Sequence, residues 1–154
     1  MPQGAHIWER SFDEDSACCR WIKNAIDATV SLIKHTDWFR EKPAVRLLTV
    51  HLPVPKVGGM GAVVSHEMVQ RYYDEEGRKM LADAEVLLKN AGITFSSGVL
   101  VGDIAALICA EAEKEKCDMI WMGTRGMSAA ANVFMGSVAT KVLHAAKMPV
   151  TLVK

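Results

Sequence analysis

Chemistry is concentrated in the last third of the chain. Gly123-Thr124-Arg125-Gly126 follows a short apolar run, Asp118 to Met122, and nine residues further on come Gly136-Ser137. These open a helical pattern of Val138, Val142 and Ala145, and the chain closes with Met148-Pro149-Val150-Thr151-Leu152-Val153. The order is strand, glycine loop, helix start, helix, strand. Backbone N–H groups at a helix start have no intrahelical partner, and the helix dipole adds partial positive charge there. Glycine lets a ligand approach with no Cβ in the way. Gly136-Ser137 therefore reads as a seat for phosphate, with the Ser137 hydroxyl as a further donor. Gly123 and Gly126 would shape the turn leading to it. Spacing alone leaves a plainer reading open, in which Gly123 ends a strand and Ser137 is an N-cap.

Other chemistries find less support. No Gly-x-Ser-x-Gly elbow, P-loop lysine motif or metal triad occurs. His35 and Asp37 have no third group placed by sequence and read as a solvated helix end. His51 reads as a strand-end histidine hydrogen-bonded locally. The four cysteines, Cys18, Cys19, Cys109 and Cys117, form no CxxC and stand at no zinc spacing with histidine. Reduced, mostly packed thiols are expected.

The elements that must position the glycines follow from periodicity. Cys18, Ile22, Ala25, Ile26, Thr29 and Ile33 recur at three and four, predicting an amphipathic helix over 14–36. Ala44 to Leu52 is a near-continuous apolar strand, and 53–62 is a loop with two prolines and three glycines. A helix follows over 63–90, with Gly77 as a flaw or kink and Asn90-Ala91-Gly92 as its C-cap. Ile93 to Val101 is a third, outer strand, and Gly102-Asp103 turns it into a helix with Ile104, Leu107, Ile108 and Ala112 inward. Glu111, Glu113, Lys114, Glu115 and Lys116 read as its solvated face. Strands alternating with helices imply a parallel sheet covered on both faces.

Composition bounds the rest. The chain has 154 residues, half of them hydrophobic, with 18 basic and 18 acidic side chains. That is one globular domain, 1–154, with no global field toward nucleic acid or anionic membrane. No apolar run approaches the roughly 20 residues that span a bilayer, and the first residues do not form a signal peptide. The expected location is cytoplasmic.

Gly-x-x-Gly-x9-Gly-Ser, followed by Val-x-x-x-Val and Pro-Val-x-x-Val, resembles the ATP-binding signature of the universal stress protein family. Gly123, Gly126, Gly136 and Ser137 fall on its fixed positions. The likeness is close from Val99 to Val153, including Val101-Gly102-Asp103-Ile104, and holds in outline from Pro43 to Gly98. The first dozen residues do not match.

The resemblance implies an adenine nucleotide α-hydrolase-like α/β fold. Its doubly wound, five-stranded parallel sheet has strand order 3-2-1-4-5 and helices on both faces. It implies a stress-response or signalling module that binds ATP, any Mg²⁺ being held largely by phosphate and water. Adenine would lie toward Val50, and ribose and phosphates over Gly123, Thr124, Arg125, Gly126, Gly136, Ser137 and Val138. Arg125 and Lys141 are candidate supplementary charges. Hydrolysis is expected to be slow at most. The family's habit of pairing edge strands implies a homodimer through residues 148–154.

The same resemblance implies a first strand over 5–12, where Glu9 and Arg10 replace residues normally apolar and Ser11 stands at an aspartate's place. Those departures support an alternative, a universal stress protein that has lost nucleotide and works through dimerisation and protein contacts. The intact glycines speak against it. An ATP pyrophosphatase ranks last, because Ser11-Phe12-Asp13-Glu14-Asp15 is not the Ser-Gly-Gly-x-Asp-Ser loop it needs.

Overall fold

The computed structural model describes residues 17–21, 25–53, 66–124 and 135–154. Along it run β1 (Ala17–Trp21), α1 (Ala25–Lys34), a 3₁₀ turn at Thr36–Trp38, β2 (Ala44–His51) and α2 (His66–Asn90). After these come β3 (Phe95–Val101), α3 (Ile104–Lys114), β4 (Ile120–Gly123), α4 (Ser137–Ala145) and β5 (Val150–Val153). Every strand pair is parallel, in the order β3-β2-β1-β4-β5. Parallel neighbours need a crossover, which here carries a helix each time. β1 meets β4 at a single register pair, Cys19 with Ile120.

A strand covered on both faces is apolar on both, and β2 shows it. Val45 and Leu47 join Ala28, Leu32, Leu81, Leu88 and Trp121 in one cluster. Leu48 and Val50 face the other way, toward Ile108, Ile120, Met122 and Val142. The period of two along the strand thus builds two cores, one beneath α1 and α2, the other beneath α3 and α4. α2 runs unbroken through Gly77, where a flaw was expected. A Cβ at Gly77 would lie 2.5 Å from a Val99 methyl, so the glycine is what lets the helix close on β3.

The amino-terminal elements differ from expectation. Residues 17–21, expected within a helix, form a strand whose Ala17 pairs with Ala44 and whose Trp21 pairs with Leu48. The helix is confined to Ala25–Lys34. Cys18 and Ile22 fit a helical period by spacing, but the ladder hydrogen bonds of β2 are a long-range term that local spacing does not contain. The strand expected over 5–12, with Glu9, Arg10 and Ser11, lies outside the described residues.

Two polar expectations also change. Glu111, expected on a solvated face, is 6% exposed and receives Arg46 Nη2 at 2.8 Å and Lys114 Nζ at 3.1 Å. Burial pushes its carboxyl pKa up, but hydrogen bonds from Arg46 and Lys114 outweigh this and hold it below the usual range. Cys109 is a free, buried thiol whose pKa is raised by burial and by nearby Glu113. Cys117 is disulfide-bonded, where reduced thiols were expected.

Candidate functional site

The site is assembled at the carboxyl end of β4. Gly123 is the last residue of that strand, paired with Val153 of β5. The Thr124 N–H donates to the Val153 carbonyl at 2.8 Å, which carries the β4–β5 ladder one residue further. The Thr124 carbonyl then accepts the Gly136 N–H, also at 2.8 Å. That bond brings together two glycine-containing pairs that are well separated in sequence, Gly123-Thr124 and Gly136-Ser137. Arg125 and Gly126 lie outside the described residues.

Among the described residues, α4 begins here with its first amides uncommitted. Gly136 is the N-cap residue, at φ −68° and ψ 154°, and as a glycine it supplies no side-chain cap. The first intrahelical bond runs from the Thr140 N–H to the Gly136 carbonyl, 3.1 Å, and the Thr140 hydroxyl donates to the same oxygen. The N–H groups of Ser137, Val138 and Ala139 precede that bond and have no partner within the helix. Ser137 is exposed, and Gly136, Gly123 and Thr124 are half-buried.

Gly136 occupies extended backbone that any residue adopts, so its conformation does not demand glycine. The absence of a side chain is what distinguishes the position. Together with the positive end of the helix dipole, this is a donor set suited to an anion.

The helix is held in place from below. Ala139 and Val142 are buried in the cluster that contains Val50, and Val138 packs against that cluster. Val50, expected to line an adenine pocket, is 7% exposed near the carboxyl end of β2. The structure thus joins Val50 and Val138 through shared apolar packing and sets Gly123, Thr124, Gly136 and Ser137 at the strand ends above it. Lys141 is exposed on α4, one turn beyond Ser137.

Two features were not read from sequence. Asp103 is the N-cap of α3 and accepts the Ala106 N–H at 2.9 Å, closing that helix start internally. The signal was an aspartate directly before an apolar helical run. His51 lacks the local side-chain bond expected of it. Its carbonyl accepts the Gly102 N–H at 2.8 Å, its ring lies 5.5 Å from that of Tyr73, and its Nε2 is buried with no partner among the described residues. Among the described residues, no group of three His, Cys, Asp or Glu side chains is placed to hold a metal ion. No helix among them is long and apolar enough to cross a membrane.

A parallel α/β sheet with a glycine-flanked helix start at its carboxyl edge defines a class of ligand-binding folds, because crevices form beyond the strand ends. Residues 26–154 match the model of the universal stress protein family, and the chain belongs to that family. A universal stress protein of Thermus aquaticus is 36% identical over 110 residues, covering 71% of this chain and 77% of its own length. One from Methanocaldococcus jannaschii is 34% identical over 96 residues, covering 62% of this chain but only 56% of the relative.

Solved structures agree in fold. UspA of Lactobacillus plantarum superposes with a TM-score of 0.69 at 15% identity, over 90% of this chain and 99% of that one. The Archaeoglobus fulgidus universal stress protein in complex with dAMP gives 0.59 at 18% identity, over 90% and 98%. An Arabidopsis thaliana family protein with AMP bound gives 0.60 at 17% identity, over 89% and 91%.

Proposed function

We propose that this chain is an adenine-nucleotide-binding universal stress protein that acts as a stress-response or signalling module, with ATP as ligand. The observation that carries the reading is the amino terminus of α4. Its N-cap residue supplies no side-chain cap, is a glycine whose backbone does not require one, and is bonded to the end of β4 through Thr124. Gly123, Thr124, Gly136, Ser137 and Val138 would hold ribose and phosphates, with Arg125 and Gly126 completing the loop and adenine toward Val50. Relatives of the same fold that hold dAMP and AMP support an adenine ligand. An anionic phosphate fits the donor set, and Mg²⁺ would be carried by phosphate oxygens and water. Turnover is slow at most, well below the order of 1 per second of dedicated enzymes.

Calorimetric titration of ATP with Mg²⁺ tests this, using the native protein and Gly136→Val. Valine is compatible with the Gly136 backbone, so the variant should fold while its side chain fills the phosphate seat. Micromolar binding lost in the variant supports the reading. No binding to the folded native protein overturns it.

We further propose a cytoplasmic homodimer through residues 148–154. β5 is half-buried throughout and, among the described residues, pairs with β4 alone. A monomeric mass at micromolar concentration would refute the dimer.

A further inference from the structure

The opposite edge of the sheet is β3, which among the described residues pairs with β2 alone. The hydrogen bonds at the ends of that ladder fix which groups are committed. The Val45 N–H donates to the Thr94 carbonyl and the Gly102 N–H donates to the His51 carbonyl, both at 2.8 Å. In a parallel pair, committed residues alternate along each strand. Ser96, Gly98 and Leu100 therefore bond to β2, and Phe95, Ser97, Val99 and Val101 turn their N–H and C=O groups outward. Ser96 and Ser97 are exposed, and a groove of about 570 Å³ between α2 and β3 leaves the edge open to solvent. A seven-residue strand with small, exposed residues at its centre is a template for strand addition.

One side chain interrupts this template. Arg46 of β2 crosses the α3-side face of β3, and its Nη1 donates to the outward Ser97 carbonyl at 3.1 Å. It can do so because Gly98 has no side chain: a Cβ there would lie 2.7 Å from Arg46 Nη2. The guanidinium is fixed from behind by buried Glu111, which accepts from Nε at 3.3 Å and from Nη2 at 2.8 Å.

We propose that the Arg46–Glu111 pair guards the β3 edge, denying it to the extended edge strand of a second copy of this chain. An incoming strand would have to share or displace the guanidinium at the central carbonyl. Displacement would leave the Glu111 carboxylate buried without its main partner, which is strongly unfavourable. The guard has a consequence for assembly. Two adhesive edges on one sheet permit head-to-tail contacts, which run on as a filament unless their rotation closes a ring, whereas one adhesive edge permits only a closed pair. This inference does not depend on nucleotide binding.

The test is the double variant Arg46→Met/Glu111→Met, which removes both charges and keeps apolar volume. Its fold is checked by circular dichroism and its mass by analytical ultracentrifugation over a wide concentration range. The native protein should hold one mass, and the variant should at least double its weight-average mass as concentration rises. Adding Ser97→Pro should restore the native mass, because the outward Ser97 N–H is not part of the β2 ladder. A folded double variant that keeps the native mass overturns the proposal. So does association that Ser97→Pro leaves intact, since it would use another surface. Should the double variant not fold, Gly98→Ala displaces the guanidinium while keeping both charges. It should associate in the same direction, and an unchanged mass for that folded variant also overturns the proposal.

Discussion

Helices α3 and α4 lie on the same face of the sheet, each follows the carboxyl end of a strand (β3 and β4), and both begin from an extended N-cap residue. Their N-cap residues sit at φ −67°, ψ 118° and φ −68°, ψ 154°. Side chains alone separate them. α3 opens on Asp103, whose carboxylate takes one of its own amides, and further along commits Glu111 to Arg46. α4 opens on Gly136 with no side-chain cap. One helix start takes an amide bond from its own N-cap side chain, and the other has an N-cap residue that cannot supply one. On the proposed function, a structural and a binding role would thus differ by one side chain at similar backbone geometry.

The contrast is broken most forcefully at Glu111. Losing one partner of a buried ion pair costs about 3–5 kcal/mol, and because Arg46 is still 18% exposed a smaller loss, about 2–3 kcal/mol, is expected for Glu111→Gln. Urea denaturation should show this loss, while ATP titration of the folded variant should be unchanged. The effect carries a pH signature. The Glu111 pKa is lower folded than unfolded, so its contribution is complete above the unfolded value of about 4.3. It is lost as pH falls through the folded value. Native and Glu111→Gln midpoints should therefore converge in acid and stay apart at neutral pH.

Gly136→Asp would give α4 the cap that α3 has. Its charge and bulk should weaken ATP binding at least tenfold, about 1.4 kcal/mol, with stability changed by only a few tenths. The reciprocal change, Asp103→Ala, should cost about 1 kcal/mol of stability and leave calorimetric affinity as it was. Equal loss of ATP affinity in both variants would show that the two helix starts do not differ in role. The smallest effect is expected at Ser137→Ala, where one donor is worth about 0.5–1 kcal/mol, roughly a threefold loss of affinity.

Much of this arrangement is legible in sequence, and what is not has a common cause. The near-continuous apolar run of β2, the period of α2 and the Gly123 to Ser137 spacing are local patterns, and each element stands where its pattern ends. Cys18 to Trp21 is different. It fits a helical period, and only pairing with Ala44 to Leu48 makes it a strand. Glu111 looks like the start of a charged face because its partner, Arg46, lies far upstream within a run read as apolar. Gly77 looks like a defect until Val99 occupies the space where its Cβ would be, and nothing local marks Gly98 as the place where the Arg46 guanidinium passes. Arg125, Gly126 and Ser11 fall outside the described residues.

The bond from the Gly136 N–H to the Thr124 carbonyl has a consequence for how such a site can change. It fixes the exit and the return of the chain at one point, so the segment between them is closed whatever its length. Closure entropy rises only logarithmically, and doubling a flexible loop costs about 0.6 kcal/mol. Insertions between residues 124 and 136 can therefore be made while strand pairing and the buried face of α4 stay fixed. Descendants of this chain can lengthen that one segment at almost no thermodynamic risk to the sheet that carries it.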